Sequence, residues 1–278
     1  MKPIRNIALL ASVGMALATS SAMGAFTFTN GDLILGFQAT GGLGVDKNVF
    51  FNLGAGTLSR NNPERGYLGN INTTLNTVFG ANWYTRTDVW FGVVGNLNQQ
   101  PAPGQASFGT RTPVDGDPSR TFYLSTAAAS QGTGLLLPAN AYAPASLGAA
   151  GTTLGGLEGI LPALTTQGDN AAILDQTTQP TPWNNSWTKW NPTPGAAFET
   201  FTGGIQQNFG KATPSTFVDL QRVLSTNTGA NPSGVVGGGT YETTFAIGSN
   251  GSITAIPEPA AAWLGGLGVL ALFRRRRA

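Results

Sequence analysis

Short apolar runs, separated by turn residues, follow one another along the chain after residue 30. They lie at Gly31–Thr40, Asn48–Gly54, Thr87–Leu97, Arg120–Thr126 and Thr240–Ile256. Runs of this length, bounded by glycine or asparagine and alternating with polar positions, predict β-strands. In the third run both faces are apolar, so we expect that strand to be covered on both sides. Its faces carry Val89, Phe91 and Val93 on one side and Trp90 and Val94 on the other.

The run that begins at Thr240 predicts a hairpin. One face of its first strand carries Tyr241, Thr243, Phe245 and Ile247. Asn250 and Gly251 then supply backbone with positive φ for a tight turn, and Ser252–Ile256 returns as the second strand.

Two stretches have helical spacing instead. The first places apolar side chains at Ile71, Leu75, Val78 and Phe79, and the second at Phe198, Phe201, Ile205 and Phe209. Each is followed by a glycine, Gly80 or Gly210, which commonly ends a helix. Ser215–Ser225 fits a helix or a strand, and we favour a strand before Leu224.

Two long stretches show neither the alternation of a strand nor the spacing of a helix. Residues 99–118 and about 127–182 are dense in Ala, Gly, Pro, Thr and Gln, and predict long loops or an ill-ordered insertion. The strands, turns and loops together predict a mainly β body of one domain. We expect a β-sandwich or jelly-roll-like arrangement with one or two short helices.

The first 24 residues have the three-part layout of a secretory signal peptide. Lys2 and Arg5 precede an apolar stretch, Ile7–Ala18, and Ala22 and Gly24 stand at the −3 and −1 positions of a cleavage site. The stretch is shorter than the roughly 20 residues that span a bilayer core. We therefore predict a signal peptide helix over 1–24 and export by the Sec machinery. An N-terminal core helix, or cleavage after Ala22 or Ala25, are the alternatives.

At the other end of the chain, the sequence predicts a short transmembrane helix. Ala260–Phe273 has no charged residue and would form a helix about 21 Å long, against a hydrocarbon core about 30 Å thick. Four basic residues follow, and such clusters mark the cytoplasmic side of a membrane and stop transfer. They are Arg274, Arg275, Arg276 and Arg277.

Pro257, Glu258 and Pro259 stand immediately before this helix, and the two prolines hold the glutamate in an extended segment. The order of motif, short apolar helix and arginine cluster over 257–278 resembles the PEP-CTERM sorting signal of exported bacterial proteins. The resemblance implies recognition by an exosortase, a membrane protease-transpeptidase. It also implies transient anchoring in the inner membrane, removal of the tail, and delivery of the 25–256 body to the cell surface or an exopolysaccharide-rich matrix. A permanent C-terminal anchor is the alternative.

The charge balance changes once the two ends are set apart. The chain has 15 basic and 13 acidic residues and a pI near 9.1. Six of the basic residues are Lys2, Arg5 and the four arginines of the tail. The other nine basic residues stand against all 13 acidic residues, Glu258 of the tail included, which gives a net charge of about −4. A basic face for nucleic acid is therefore not expected.

The chain contains neither cysteine nor histidine. Disulfides, thiol catalysis, Ser-His-Asp chemistry and the commonest zinc and copper sites are thereby excluded. Asp115 and Asp117 flank Gly116 as in a fragment of a calcium loop, but the later ligands of such a loop are missing, so a plain turn is expected. No carboxylate pair is marked as a glycosidase site. We expect no cofactor, no bound metal and no enzymatic activity.

Trp183, Trp187 and Trp190 form the remaining candidate site, in a segment flanked by prolines. They could provide flat platforms for sugar rings, or they could cover the sheet and pin the insertion, which is the interpretation we favour. Two functions follow. The first is a non-catalytic structural or adhesive component of an extracellular matrix, associated with exopolysaccharide. The second is a carbohydrate-binding module that uses the Trp cluster.

Overall fold

The computed structural model describes most of the predicted body. The described residues are 25–61, 65–96, 121–138, 154–178, 186–196, 204–210, 215–224 and 238–256. The predicted signal peptide, the tail over 257–278, Asp115 and Asp117 lie outside them.

Ten strands and four short helices form the described body. The strands are β1 Asp32–Ala39, β2 Lys47–Ala55, β3 Gly66–Asn70, β4 Val89–Asn96, β5 Phe122–Ala128, β6 Ala171–Asp175, β7 Gln206–Asn208, β8 Ser215–Val223, β9 Thr240–Gly248 and β10 Ser252–Ile256. The helices are α1 Gly56–Asn61, α2 Asn72–Phe79, α3 over 154–160 and α4 Trp187–Trp190, and single 3-10 turns lie at Trp83–Thr85 and Leu161–Ala163.

All ten strands belong to one antiparallel sheet, in the order β3-β10-β9-β8-β5-β4-β1-β2-β6, with β7 paired to β4. The prediction of a mainly β fold is confirmed, and so is a strand at Ser215–Val223. The sheet is curled, which brings its two ends towards each other. A Cβ at Gly69 of β3 would lie 2.8 Å from the Phe51 ring of β2, although seven strand positions separate these two strands in the sheet order.

The concave face of the curled sheet encloses the larger hydrophobic core. Alternation along each strand sends every second side chain into it, as Leu33, Leu35 and Phe37 of β1 show. The predicted helix α2 packs Leu75 and Phe79 into the same core and ends at Gly80, whose φ of 90° suits glycine.

The opposite, outer face is apolar as well and has a second core. Ile34 of β1, Phe50 of β2 and Val94 of β4 point to this side, where Leu154, Leu157 and Leu161 of the α3 region cover them. The prediction that β4 is covered on both faces is thus confirmed, since Phe91 and Val93 lie in the inner core.

One carboxylate joins the segments next to the two edge strands. Asp169 precedes β6, and it accepts hydrogen bonds from Thr74 of α2, which follows β3. The backbone N–H donates at 2.9 Å and the hydroxyl at 2.5 Å. Because α2 follows one edge strand and Asp169 precedes the other, these bonds hold the sheet in its curled form.

A fork interrupts the sheet beside β4. β5 pairs with β4 only over Phe122–Leu124, and β7 takes its place further along. The Ser125 hydroxyl lies at the branch point, where it accepts from the Val93 N–H at 2.7 Å and donates to the Ile205 carbonyl at 2.5 Å. This side chain therefore supplies the bonds that neither strand can make at the fork.

The predicted helix ending at Gly210 is wrong over its described part. Ile205 and Phe209 would share one helical face, but they lie in different cores, outer and inner. Between them β7 pairs with β4, and the Phe209 ring stacks on Phe91 with centroids 4.8 Å apart. The vacant edge of β4 at the fork favours a strand over the helical spacing. Phe198 and Phe201 lie outside the described residues.

The prediction of a long loop over about 127–182 also needs correction. α3 and β6 both lie within it. Three glycines make α3 a poor helix by propensity, so burial of its leucines on the outer face must stabilise it. β6 forms because the free edge of β2 offers hydrogen bonds to Ala171–Asp175.

The last hairpin is confirmed, with a longer turn than expected. Gly251 has a φ of 77° and donates its N–H to the Gly248 carbonyl at 2.9 Å, whereas Asn250 is not in the left-handed region. Ser249–Gly251 thus forms a three-residue loop, and the Asn250 side chain accepts from the Ser252 N–H at 3.1 Å.

Replacing Ser125 with alanine should destabilise the whole sheet. The change leaves the Val93 N–H and the Ile205 carbonyl buried without their partner, at a cost of about 2–4 kcal/mol in the free energy of unfolding. Urea unfolding followed by far-UV circular dichroism measures it. Ser130→Ala, in an exposed turn, is the control and should change stability by less than about 0.5 kcal/mol. Equal effects of the two changes would show that the fork does not depend on this hydroxyl.

Candidate functional site

Of the three tryptophans considered as sugar platforms, the structure places one completely. Trp187 begins α4 and is fully buried in the outer core, edge-on to Phe50 with ring centroids 6.5 Å apart. In this position the indole of Trp187 covers the sheet and presents no face to a sugar ring. The carbohydrate-binding interpretation of the Trp cluster stays a prediction. Trp183 and the side chain of Trp190 lie outside the described residues.

The indole of Trp187 needs a glycine beneath it. A Cβ at Gly36 of β1 would lie 2.5 Å from Cε3 and 2.7 Å from Cε2 of the ring. No side chain fits in that space, so the ring lies directly on the β1 backbone. The same segment continues over β4, where a Cβ at Gly195 would lie 2.7 Å from the Trp90 ring.

Buried amides form a polar layer between this segment and the sheet. Gln38 of β1 donates to the Asn191 carbonyl at 2.9 Å and to Gln206 Oε1 of β7 at 3.1 Å. Nearby, Asn48 of β2 donates to the Thr188 hydroxyl at 2.9 Å. The layer therefore joins three strands to the covering segment through hydrogen bonds that only one placement of that segment can make.

Several atoms of this layer are buried without a hydrogen-bond partner among the described residues. They are Gln38 Oε1, Asn191 Nδ2, Gln206 Nε2 and Gln176 Oε1. Amides are neutral donors and acceptors with no nucleophile and no readily exchanged proton. The layer can therefore orient groups by hydrogen bonding, and it carries no residue suited to acid–base or covalent catalysis.

Asp219 of β8 is a buried carboxylate that fixes a loop. It accepts from the backbone N–H groups of Gly132 at 3.1 Å and Gly134 at 2.6 Å, and from the Thr244 hydroxyl. Two residues on, Gln221 accepts from the Leu137 N–H at 2.9 Å. Loop 130–138 is thereby held over the outer face, where Leu137 is buried.

Glu158 of α3 is a further buried acid, besides Asp219 and Glu242. It shares a helix face with Leu154 and Leu161, both packed against the sheet, and it is 9% exposed. Burial raises the pKa of Glu158 to about 8, because the charged form is poorly solvated there. The alternating polar positions at Asp219, and a lone glutamate among glycines, gave no signal in the sequence that either acid is buried.

Within the described ranges, no group of three or more potential metal ligands comes together, and no helix is long and apolar enough to cross a membrane.

The strand registers place both chain ends of the described body at one end of the sheet. Antiparallel pairings between β10, β9, β8, β5, β4, β1 and β2 direct one end of each of these strands to the same side of the sheet, although Ile256 pairs with Thr244, which lies inside β9 and not at its start. We call this the exit end. It is marked by Asp32, Ala55, Gly66, Phe122, Val223 and Ile256. Residues 25–31 lead into β1 there, and β10 finishes there.

The last described residue is held firmly. Ile256 pairs with Thr244 of β9, and its carbonyl accepts from the Thr243 hydroxyl at 2.9 Å. On its other side β10 pairs with β3 through Ala255 and Gly66. The last described strand therefore reaches the residue that directly precedes Pro257, Glu258 and Pro259 in the sequence.

Comparison with protein-family models, with curated proteins and with solved structures finds no match to this chain.

Gly36→Ala should dislodge Trp187. The added methyl group overlaps the indole, and such overpacking costs about 1–3 kcal/mol in the free energy of unfolding. Urea unfolding measures the cost, and acrylamide quenching of tryptophan emission should increase as the indole loses its cover. The control is Gly155→Ala in α3, where a Cβ meets nothing within 4 Å. It should be neutral or stabilise by at most about 1 kcal/mol. Unchanged stability in Gly36→Ala would contradict the packing described.

Glu158 should make stability fall as the pH rises. The folded state keeps a proton up to about pH 8 that the unfolded state releases near the ordinary glutamate pKa of about 4.3. The free energy of unfolding should therefore decrease between about pH 5 and 8, by at most about 1.4 kcal/mol per pH unit. Asp88 and Asp175 also have shifted pKa values, but they do not contribute to this decrease in stability. Hydrogen bonds from Arg86 and Lys47 lower the pKa values of these two carboxyl groups, to about 2 for Asp175.

Urea midpoints at pH 5 and pH 8 test this expectation. Glu158→Gln should remove most of the decrease and exceed the wild type in stability at pH 8. Asp46→Asn, which removes a half-exposed carboxylate, should retain the wild-type slope. A wild-type slope in Glu158→Gln would show that another group is responsible.

Proposed function

We propose that this chain is an exported bacterial protein of the cell surface or extracellular matrix, sorted by its tail over 257–278. In this proposal the Sec machinery exports it, the short helix over Ala260–Phe273 retains it transiently in the inner membrane, and an exosortase-type enzyme removes the tail. The body then acts as a non-catalytic structural or adhesive component associated with exopolysaccharide.

The observation that carries the proposal is the position of the tail relative to the sheet. β10 ends at Ile256, and the proline-flanked Glu258 follows directly. None of the described strand pairings involves the motif, so its removal would leave every described pairing of β10 in place. A removable signal requires this separation between the address and the folded domain.

The position of the N-terminal residues agrees with the same route. Residues 25–31 enter β1 at the exit end, the end of the sheet towards which β10 runs. A leader before residue 25 and an anchor after Ile256 would then both attach to one end of the body. The remainder of the sheet is free to fold on the outer side of the membrane while both are in place.

The body itself supports a structural role. The chain has no histidine and no cysteine, and the amide layer under Trp187 joins the covering segment to the sheet. We also propose that the facing halves of the curled sheet act as the two layers of a jelly-roll-like sandwich around the inner core.

The processing step can be tested in the native host. Intact-mass measurement of surface-released wild-type protein should show loss of the apolar and arginine segments beyond the motif. Glu258→Ala should remain in the inner-membrane fraction with its full C-terminal length, because the enzyme loses the side chain held between the prolines.

The control for that experiment is Asp46→Ala, a carboxylate at the opposite end of the sheet, and it should be processed as the wild type is. Released wild-type protein that still ends in Arg277 and Ala278 would overturn the proposal. So would a Glu258→Ala variant that is released in trimmed form.

A further inference from the structure

Two exposed apolar side chains lie at the exit end. Leu58 of α1 is 48% exposed and Tyr67 of β3 is 66% exposed. α1 follows β2 where that strand reaches the exit end, and Tyr67 is the second residue of β3, opposite Thr254 of β10. Both residues thus stand beside the point where the chain leaves the sheet.

The element that carries Leu58 is fixed to the sheet. The Gly56 N–H at the start of α1 donates to the Gly31 carbonyl at 2.8 Å. Arg65, before β3, donates to the Ser59 hydroxyl at 3.1 Å and to the Leu53 carbonyl. Leu58 is therefore presented on a rigid turn of helix at this end.

The length of chain between sheet and membrane is short. Three residues separate Ile256 from Ala260, the first residue of the apolar run, so even a fully extended segment spans only about 14 Å. The headgroup layer on each side of a bilayer is about 5–8 Å thick. With Ala260 at the edge of the hydrocarbon, the exit end lies at the headgroups or just above them.

The chemistry of the two side chains suits that position. Tyrosine is enriched at membrane interfaces, because its ring is apolar and its hydroxyl can remain hydrated. Leucine gains free energy wherever it leaves water. We propose that, while the tail is inserted, the exit end rests on the lipid surface and that Leu58 and Tyr67 contact it. This inference rests on the proposed function, since it requires the tail to be in the membrane.

Exposed apolar side chains also occur at the opposite end of the sheet, and they provide a matched comparison. Leu43, in the loop between β1 and β2, is 61% exposed. Its exposure lies between those of Leu58 and Tyr67, but it lies at the end of the sheet opposite to the one where β10 finishes. The position of the tail, and not apolar exposure alone, therefore distinguishes the two ends.

The absence of cysteine makes the test direct, because a single introduced thiol is the only labelling site. Leu58→Cys, Tyr67→Cys, Leu43→Cys and Leu264→Cys are made in the full chain and purified from the membranes of a host that lacks an exosortase. Each is labelled with an environment-sensitive fluorophore and reconstituted into phosphatidylcholine–phosphatidylglycerol vesicles. Quenching is measured with nitroxide lipids, shallow and deep, and with aqueous iodide.

The expected result is several-fold stronger quenching by shallow nitroxide at residues 58 and 67 than at residue 43, with the reverse order for iodide. Equal quenching at all three, with the label at residue 264 quenched by deep nitroxide, would overturn this inference and leave the membrane anchor intact. A label at residue 264 that deep nitroxide does not reach would overturn both. Because positions 58 and 67 are exposed, the circular dichroism spectra of the two cysteine variants should match the wild-type spectrum. Each of the two positions tests the inference independently of the other.

Discussion

The central strands of this sheet are apolar on both faces, and each face must be removed from water. Ile34 and Leu35 of β1 illustrate the condition, since they are neighbours on one strand and belong to different cores. Curling covers one face with the sheet itself, so that β2 and β3 meet across the inner core. In the part of the chain that the structure describes, helices and loops rather than a second sheet cover the outer face, which is why segments with loop-like composition are packed there.

Polar groups decide where those covering segments lie. Apolar contact is not directional, and it could hold the covering segments in several registers. Hydrogen bonds from Gln38 to Asn191, and from Gly132 and Gly134 to Asp219, are specific to one register. The buried amides with unpaired atoms show the cost of this arrangement, since an unmade hydrogen bond in a protein interior costs about 1–3 kcal/mol.

The sequence was a good guide wherever a pattern extended over several residues. The alternation in β4 and in the last hairpin, and the helical spacing from Ile71 to Phe79, each correspond to an observed element. β7 has three residues, too few for alternation to be read, and it exists because β5 leaves β4 at Ser125. α3 is rich in glycine, and only the outer face makes it a helix.

The surroundings of individual side chains could not be predicted either, because they depend on contacts between distant parts of the chain. Trp187 lies on Gly36, distant by 151 positions in the numbering of the chain, and no local pattern connects them. Asp219 has the spacing of a solvent-facing residue, because the loop that buries it comes from elsewhere in the chain. Glu158 is buried only because α3 packs on the outer face of the sheet. Local period reports which side of a strand or helix a residue is on, whereas its burial depends on what the rest of the chain places over that side.

The position of β10 in the sheet has a mechanical consequence. A strand at the edge can be peeled from its single neighbour one hydrogen bond at a time. β10 lies between β9 and β3 and is paired to both of them near its carboxyl end, through Ile256 and Ala255. A pulling force applied beyond Ile256 therefore acts in shear on two ladders at once, so that many hydrogen bonds share the load. Any attachment at this end of the body transmits tension directly into the interior of the sheet.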